Sequence, residues 1–324
     1  MALKKKSLFL NNSKTVENSK SSAVKILNVD LKTVKVKIEN KKFKPQNEIV
    51  KVIFAWRNVS LYCSNSIYEL NTPKSEEIIL RNINGQLNFG TLVGVLGPSG
   101  SGKTTLLKTL NGQLKDKLSE ESTFYVSKCT PIRTCFITQD VSNHLWPGLT
   151  AKQALVYASR LKNSSVVRQT VDHEAIALSM LEQLDLLNIV HTKLEKCSGG
   201  ERQRIALGQE LTSVHMPNFV QLDECCSGLD STSAEIVISC LRSLAKNHNI
   251  TIILSIHQTN SKVLQMFDQI FVLARGGVNI FQGPPKTIQH HLHSLSSALP
   301  ANDNVLYSVE TLLKYASLGQ QSST

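Results

Sequence analysis

Apolar and polar residues alternate along the chain in a way that predicts a strand-rich segment followed by a body of alternating helices and strands. Residues 52–63 have the two-residue period of strands. The apolar run 92–96 leads through a glycine-rich stretch into a helix start, and apolar residues recur at helical spacing over 149–190. Further predicted elements are helices at 200–214 and 232–246, buried strands at 219–222 and 250–256, a last strand pair at 268–273 and 278–281, and a weaker helical pattern from 284 onward.

The glycine-rich stretch carries the strongest chemical signal, because it has the spacing G-x-x-x-x-G-K-T between a strand and a helix. Glycines let the backbone curl until its amides point at phosphate oxygens, and the helix start adds unpaired donors. A lysine here supplies charge to the phosphates, and the next hydroxyl can bind Mg²⁺. We therefore predict a nucleoside triphosphate site formed by Gly97, Pro98, Ser99, Gly100, Ser101, Gly102, Lys103, Thr104 and Thr105.

The predicted strand 219–222 ends in two acidic residues, Asp223 and Glu224. In a sheet of this type its C-terminal end faces the phosphates. Asp223 would then hold Mg²⁺, and Glu224 would act as general base toward the attacking water.

A second phosphate-binding helix start is predicted at Ser198-Gly199-Gly200, which offers bare amides and a hydroxyl donor. One glycine-rich loop already holds one triphosphate, and the helical block 149–190 separates the two sites along the chain. We therefore predict that Ser198 and Gly200 close on a nucleotide bound by a partner subunit.

Further short motifs complete an ordered set: Gln139 after the strand-like run 134–138, Ser227-Gly228-Leu229-Asp230-Ser231, and His257 at the end of the strand 250–256. Together these motifs resemble the nucleotide-binding domain of ABC transporters. More narrowly, Ser198-Gly199-Gly200-Glu201-Arg202 and Trp146-Pro147-Gly148-Leu149-Thr150 resemble subfamily G, the white/eye-pigment type. The resemblance covers about residues 50–285.

The resemblance implies a fold, ligands and partners. The fold would be α/β, a P-loop NTPase of the ABC ATPase type with a mixed core sheet, a small antiparallel β subdomain and a helical subdomain. The ligands would be ATP and Mg²⁺, and the partners a second ABC ATPase domain, in a homo- or heterodimer, and a transmembrane domain or subunit. The implied catalytic residues are Glu224, His257 and Gln139; the implied nucleotide contacts add Ser198, Gly199, Gly200, Gln203 and Asp230; the implied metal ligands are Thr104, Gln139 and Asp223.

The sequence departs from the family pattern at several positions. Cys197 replaces the usual leucine or valine, and Cys225-Cys226 replaces the usual Pro-Thr, which loosens the turn that positions Glu224. Gln221 interrupts an apolar strand and needs a hydrogen-bond partner if buried. Tyr62 and Tyr68 are candidates for stacking on adenine.

Positive charge is concentrated at the N-terminus, and this location bears on whether a nucleic-acid partner is expected. The formal net charge is +11, but residues 1–51 hold thirteen lysines against four acidic residues, so the rest of the chain is nearly neutral. We therefore expect no nucleic-acid partner. The lysine-, asparagine- and serine-rich residues 1–48 predict a disordered or partly ordered tail, which suits either a solvated leader or attraction to an anionic membrane.

Cysteine usage and hydropathy bear on location. The seven cysteines are odd in number and form no C-x-x-C pair, which indicates reduced thiols rather than disulfides or zinc ligands. No stretch reaches the roughly 18–20 apolar residues that span a bilayer. We expect a cytoplasmic protein, associated with a membrane if it pairs with a transmembrane partner.

The sequence thus predicts a tail at 1–48, an ABC ATPase domain at 49–290 with its helical subdomain at about 149–212, and a helical, polar C-terminal tail at 291–324. The predicted function is ATP binding and hydrolysis, coupled to transport by a membrane domain outside this chain. Two alternatives stay open. One is a truncated half-transporter that binds ATP without transport. The other is a soluble non-transport ABC ATPase, which would be expected to have two cassettes or a long coiled-coil insertion.

Overall fold

A computed structural model describes residues 25–29, 52–64, 76–127, 130–141, 145–165, 170–257, 261–295 and 305–318. It contains two sheets. The strands are β1 Lys25–Val29, β2 Val52–Ser64, β3 Glu76–Asn88, β4 Leu92–Leu96, β5 Thr123–Ser127, β6 Thr134–Ile137, β7 Phe219–Leu222, β8 Thr251–Ile256, β9 Gln269–Ala274 and β10 Val278–Gly283. The helices are α1 Lys103–Leu110, α2 Ala151–Lys162, α3 His173–Gln183, α4 Gly199–Leu211, α5 Ser231–His248, α6 Ser261–Gln265, α7 Ile288–Leu295 and α8 Val305–Leu318.

The larger sheet has six strands in the order β10-β9-β4-β8-β7-β6. Four of its five strand pairings are parallel, and the edge pair β9–β10 is antiparallel. Every residue of β4, β7 and β8 is buried, as expected for parallel strands covered on both faces. Because parallel strands end at one edge, the segments that follow β4, β6, β7 and β8 meet there.

The smaller sheet has the order β1-β5-β2-β3, and it packs over the larger one. β2 pairs antiparallel with both β3 and β5, which agrees with the predicted small antiparallel sheet. β1 adds a parallel edge strand to it, Lys25 pairing with Thr123. This strand lies inside the segment predicted as a tail and was not predicted, because residues 25–29 alternate too briefly among lysines and asparagines to stand out.

The helical block consists of α2, α3 and α4, which pack on one another. A capping box opens α2: the Thr150 side chain accepts from the Gln153 amide and the Gln153 side chain accepts from the Thr150 amide. A Cβ at Gly208 of α4 would approach Leu184 to 2.8 Å, so glycine permits the close helix packing. At the C-terminal end α8 packs on β9, where the Arg275 amide donates to the Ala316 carbonyl over 2.9 Å.

The α/β fold predicted from the sequence is therefore confirmed, with a core sheet, a smaller mixed sheet and a helical block. Within the described ranges, no helix combines the length and apolar character that a membrane crossing requires.

Candidate nucleotide site

The loop between β4 and α1 is wrapped around the Lys103 side chain. Gly100 and Gly102 have φ angles of 77° and 93°, a left-handed conformation that glycine adopts without steric cost. The buried Lys103 ammonium donates to the carbonyls of Gly97 and Pro98 over 2.9 and 3.0 Å. Burial lowers the pKa of Lys103, and the nearby carboxylates of Glu224 and Asp223 partly offset this effect.

Two polar side chains from neighbouring elements donate to the Asp223 carboxylate. Thr104 at the start of α1 donates its hydroxyl to Asp223 Oδ1 over 3.0 Å, and Ser255 of β8 donates to the same oxygen over 2.7 Å. Asp223 itself is buried, and its amide donates to the Ile137 carbonyl at the end of β6. The structure thus brings together Thr104 and Asp223, both predicted as metal ligands.

Glu224 is held in an unusual backbone conformation beside the predicted histidine. Its φ angle is 50°, in the left-handed region that non-glycine residues rarely adopt. Its amide donates to Ser255 Oγ over 2.8 Å, and its carboxylate lies 2.5 Å from His257 Nε2. Strain of this kind persists only where surrounding contacts impose it, and here Ser255 and His257 supply those contacts.

A cavity of about 820 Å³ opens beside these groups. The cavity is lined by Gly97 and Pro98 of the loop, by Glu224 and His257, and on its far side by α8. A Cβ at Gly97 would lie 2.5 Å from both the Leu273 carbonyl oxygen and Ser101 Oγ. Any residue with a side chain would therefore clash at this position of the cavity wall.

The residues of the second predicted phosphate site lie elsewhere. Ser198 caps α4 in a reciprocal capping box with Glu201. Its hydroxyl oxygen accepts from the Glu201 amide over 3.3 Å, and its own amide donates to the Glu201 carboxylate over 2.7 Å. Ser198 and Gly200 line a different cavity, of about 490 Å³, together with the buried Arg204. This second cavity shares no lining residue with the first.

The remaining predicted residues connect these regions. Gln139 is exposed after β6, and its carbonyl accepts from the Gln203 side chain of α4 over 3.4 Å. Asp230 caps α5 by accepting from the amides of Thr232 and Ser233, each over 3.1 Å. The contact shown for Gln139 is thus with α4, the helix capped by Ser198 (the signature helix), whereas its predicted role was to reach the metal or the water.

Two features of the site were missed in the sequence. Ser255 supports both Asp223 and Glu224, and its signal was a polar residue inside the apolar strand 250–256. The second feature is α8, which lies over two hundred residues from the glycine-rich loop along the chain and has no motif of its own. Of the adenine candidates, Tyr62 is half-buried in β2 and Tyr68 lies outside the described residues.

A strand–loop–helix phosphate cradle, acidic residues at the adjacent strand end and a separate capped signature helix define an ABC-type ATPase domain. Comparison with known proteins agrees: residues 80–227 match the family model described as ABC transporter. A solved dimeric ATP-binding cassette bound to ADP and Pi superimposes with a TM-score of 0.53 at 22% identity, covering 72% of this chain and 98% of that one. The cbiO1 structure from Clostridium perfringens, part of an ABC transporter complex, gives 0.55 at 23%, covering 75% and 96%.

Residues 80–227 thus form an ABC transporter domain, and the curated relatives to which the chain is similar are members of the ABC transporter G family. "ABC transporter G family member STR2" of Medicago truncatula is 34% identical over 236 residues, which are 70% of this chain and 31% of the relative. "ABC transporter G family member 21" of Arabidopsis thaliana is 35% identical over 230 residues, 69% of this chain and 33% of the relative. The chain therefore spans about a third of the length of these relatives.

Proposed function

We propose that this domain binds ATP with Mg²⁺ and hydrolyses it at a head-to-tail interface with a second ABC ATPase domain, and that hydrolysis drives a transmembrane transport partner. One observation supports the chemistry above all others. Thr104 and Ser255 converge on Asp223 directly beside the Glu224–His257 pair, which lines the same cavity as the glycine-rich loop.

The residues present suit Mg²⁺. This ion takes oxygen ligands, and Thr104 and Asp223 offer a hydroxyl and a carboxylate oxygen 3.0 Å apart at the start of α1. We propose that these two residues hold the metal, with Gln139 as a further ligand. When held by these residues, Mg²⁺ would supply positive charge that neutralises the negative charge developing on the phosphate.

Each of the chain's own site residues would then have a separate role in ATP hydrolysis. Lys103, whose hydrogen-bond acceptors among the described residues are two backbone carbonyls, would turn its ammonium to the phosphates. Glu224 would accept the proton of the attacking water, and His257 Nε2, now against that carboxylate, would donate to the γ-phosphate. Ser255 would keep Glu224 in place through the amide contact.

The two separate cavities support the head-to-tail arrangement. Gly97, Glu224 and His257 line one cavity, whereas Ser198 and Gly200 line the other. In a head-to-tail pair, the α4 start of one subunit would face the loop of its partner, where the Ser198 O–H, the Gly199 and Gly200 amides and Gln203 would meet the γ-phosphate. The Asp230 turn would lie between the two nucleotides. The partner is a second copy or a related ABC ATPase domain.

Coupling to transport is proposed from the G family relatives. The domain would sit on the cytoplasmic side of a membrane beside a transmembrane domain or subunit, and Gln139, which contacts α4, would transmit motion to that partner. In this proposal residues 49–290 form the ATPase domain with the helical subdomain at about 149–212. The basic segment 1–48 adds β1 to the smaller sheet, and the C-terminal segment 291–324 adds α8 to the cavity wall.

Glu224→Gln tests the chemistry. It should leave ATP binding intact, slow turnover by about 10²–10⁴-fold and trap an ATP-bound dimer on size-exclusion chromatography. Glu182→Gln, an exposed acid on α3, is the matched control and should keep the parental rate. Parental turnover in Glu224→Gln would refute the assigned base.

A mixture of two inactive chains tests the interface. Lys103→Ala and Ser198→Arg chains should each lack activity, but their heterodimer has one site with both defects and one with neither. The mixture should therefore recover part of the parental ATPase rate. If heterodimers form and no activity returns, the signature helix does not serve the partner's nucleotide.

A further inference from the structure

Cys225 and Cys226 form a pair of thiols inside the turn that follows Glu224. Their sulfur atoms lie 3.7 Å apart. Of the six cysteines that the structure describes, these are the two whose sulfurs are in contact. Cys225 is buried, and Cys226 is partly exposed and lines the 820 Å³ cavity. A reagent in the cavity would therefore react first with the Cys226 sulfur. The Cys225 sulfur lies close enough to bond to the same atom of that reagent.

The distance between the Cys225 and Cys226 sulfur atoms indicates which kind of ligand they can bind. A disulfide bond is about 2.05 Å long and joins residues whose Cα atoms are usually about 4.4–6.8 Å apart, whereas adjacent Cα atoms are about 3.8 Å apart. Direct closure would therefore strain this turn. One soft atom bonded to both sulfurs at about 2.3 Å, with a near-tetrahedral angle, would instead space them about 3.8 Å apart. The observed 3.7 Å fits a single bridging atom.

We propose that Cys225 and Cys226 are a dithiol binding site for a trivalent arsenical, which bridges the two sulfurs beside the catalytic glutamate. With phenylarsine oxide as the ligand, one arsenic–sulfur bond forms to each cysteine. The arsenic–oxygen bond breaks, and the two thiol protons leave with that oxygen as one water. No atom changes its oxidation state. The second bond forms within one turn of chain, so it gains the advantage of an intramolecular reaction.

The site lies where a ligand would stop hydrolysis. The Ser227 amide donates to the Glu224 carbonyl over 3.0 Å, so both cysteines lie inside the turn that keeps Glu224 at its left-handed φ angle. A substituent on the arsenic would project from Cys226 into the cavity that Glu224 and His257 line. This consequence rests on the proposed role of Glu224, whereas the binding site itself does not.

The test treats the full chain with one equivalent of phenylarsine oxide and measures intact mass, then maps the adduct by proteolysis. We expect one bridged adduct on the 225–226 peptide that survives 2-mercaptoethanol and is removed by 2,3-dimercaptopropanol. Cys226→Ser should lose the dithiol-reversible adduct, and Cys63→Ser, which removes a partly exposed thiol elsewhere, should keep it. If Cys226→Ser does not fold, the map of the parent adduct decides the question.

Activity provides the second readout. The ATPase rate of the adduct should fall toward that of Glu224→Gln, about 10²–10⁴-fold below the parent, and should return with the dithiol. An adduct that maps to other cysteines, or no dithiol-reversible adduct, would overturn the site. A 225–226 adduct with undiminished ATPase would overturn the consequence. An inactive parent chain would count against the proposed function alone, because the mass measurement still decides the site.

Discussion

Gln221 is buried in strand β7 of the core sheet, where its amide has no hydrogen-bond partner among the described residues, and its replacement by methionine should stabilise the protein. The residue is fully buried in β7, opposite Phe136 of β6 and Ile253 of β8. Neither Oε1 nor Nε2 of its amide has a partner among the described residues. A buried polar group in this state costs about 1–3 kcal/mol by protein mutational data.

Methionine keeps the length and flexibility of glutamine while removing the amide, so the cost of changing shape should stay small. We therefore expect Gln221→Met to raise the free energy of unfolding by about 1–3 kcal/mol. For a domain of 150–250 residues each kcal/mol moves the melting temperature by roughly 2–4 °C, so calorimetry should show an increase of a few degrees or more.

The matched control is Gln282→Met, because Gln282 lies exposed on the edge strand β10. Surface substitutions of this kind usually change stability by less than about 0.5 kcal/mol. If Gln221→Met melts at or below the parental temperature while Gln282→Met is neutral, then the buried amide contributes favourably, and the reasoning from its missing partners is wrong.

Three further predictions concern single groups. Lys103→Ala should weaken ATP binding by about 1.5–3 kcal/mol, the value of a hydrogen bond to a charged group, and an unchanged Kd by calorimetry would remove Lys103 from the site. Hydrogen bonds from Ser233 and Thr232 lower the pKa of Asp230. The Asp230 cap of α5 should therefore stabilise the fold above the ordinary carboxyl pKa, and this stabilisation should be lost as pH falls through the lowered pKa. Asp230→Ser should flatten the plot of melting temperature against pH over that acidic range. An unchanged plot would contradict the role of the cap. Burial raises the pKa of the Cys135 thiol, so iodoacetamide at mildly alkaline pH should label it only after unfolding, and fast labelling of the native chain would show that β6 opens.

Elements that depend on neighbouring residues could be predicted from the sequence. Strand β7 lies at the predicted 219–222, and α4 and α5 begin and end within three residues of their predicted bounds, because period and capping residues are local properties. The glycine-rich loop was equally local: its spacing, its lysine and the flanking strand and helix are all adjacent in the chain. The family resemblance followed from such motifs and their order.

Which of the site residues contact one another depends on the tertiary structure. Thr104 and Asp223 are 119 positions apart, and they touch because β4 and β7 both lie beside β8 in a parallel sheet and end at the same edge. The same edge brings Ser255 to Asp223. Packing likewise determines the cavity wall formed by α8 and the pairing of β1 with β5. It also leaves the Gln221 amide without a partner among the described residues. A residue pattern specifies an element and its buried face, but contacts between distant elements are set by the order of strands in the sheet.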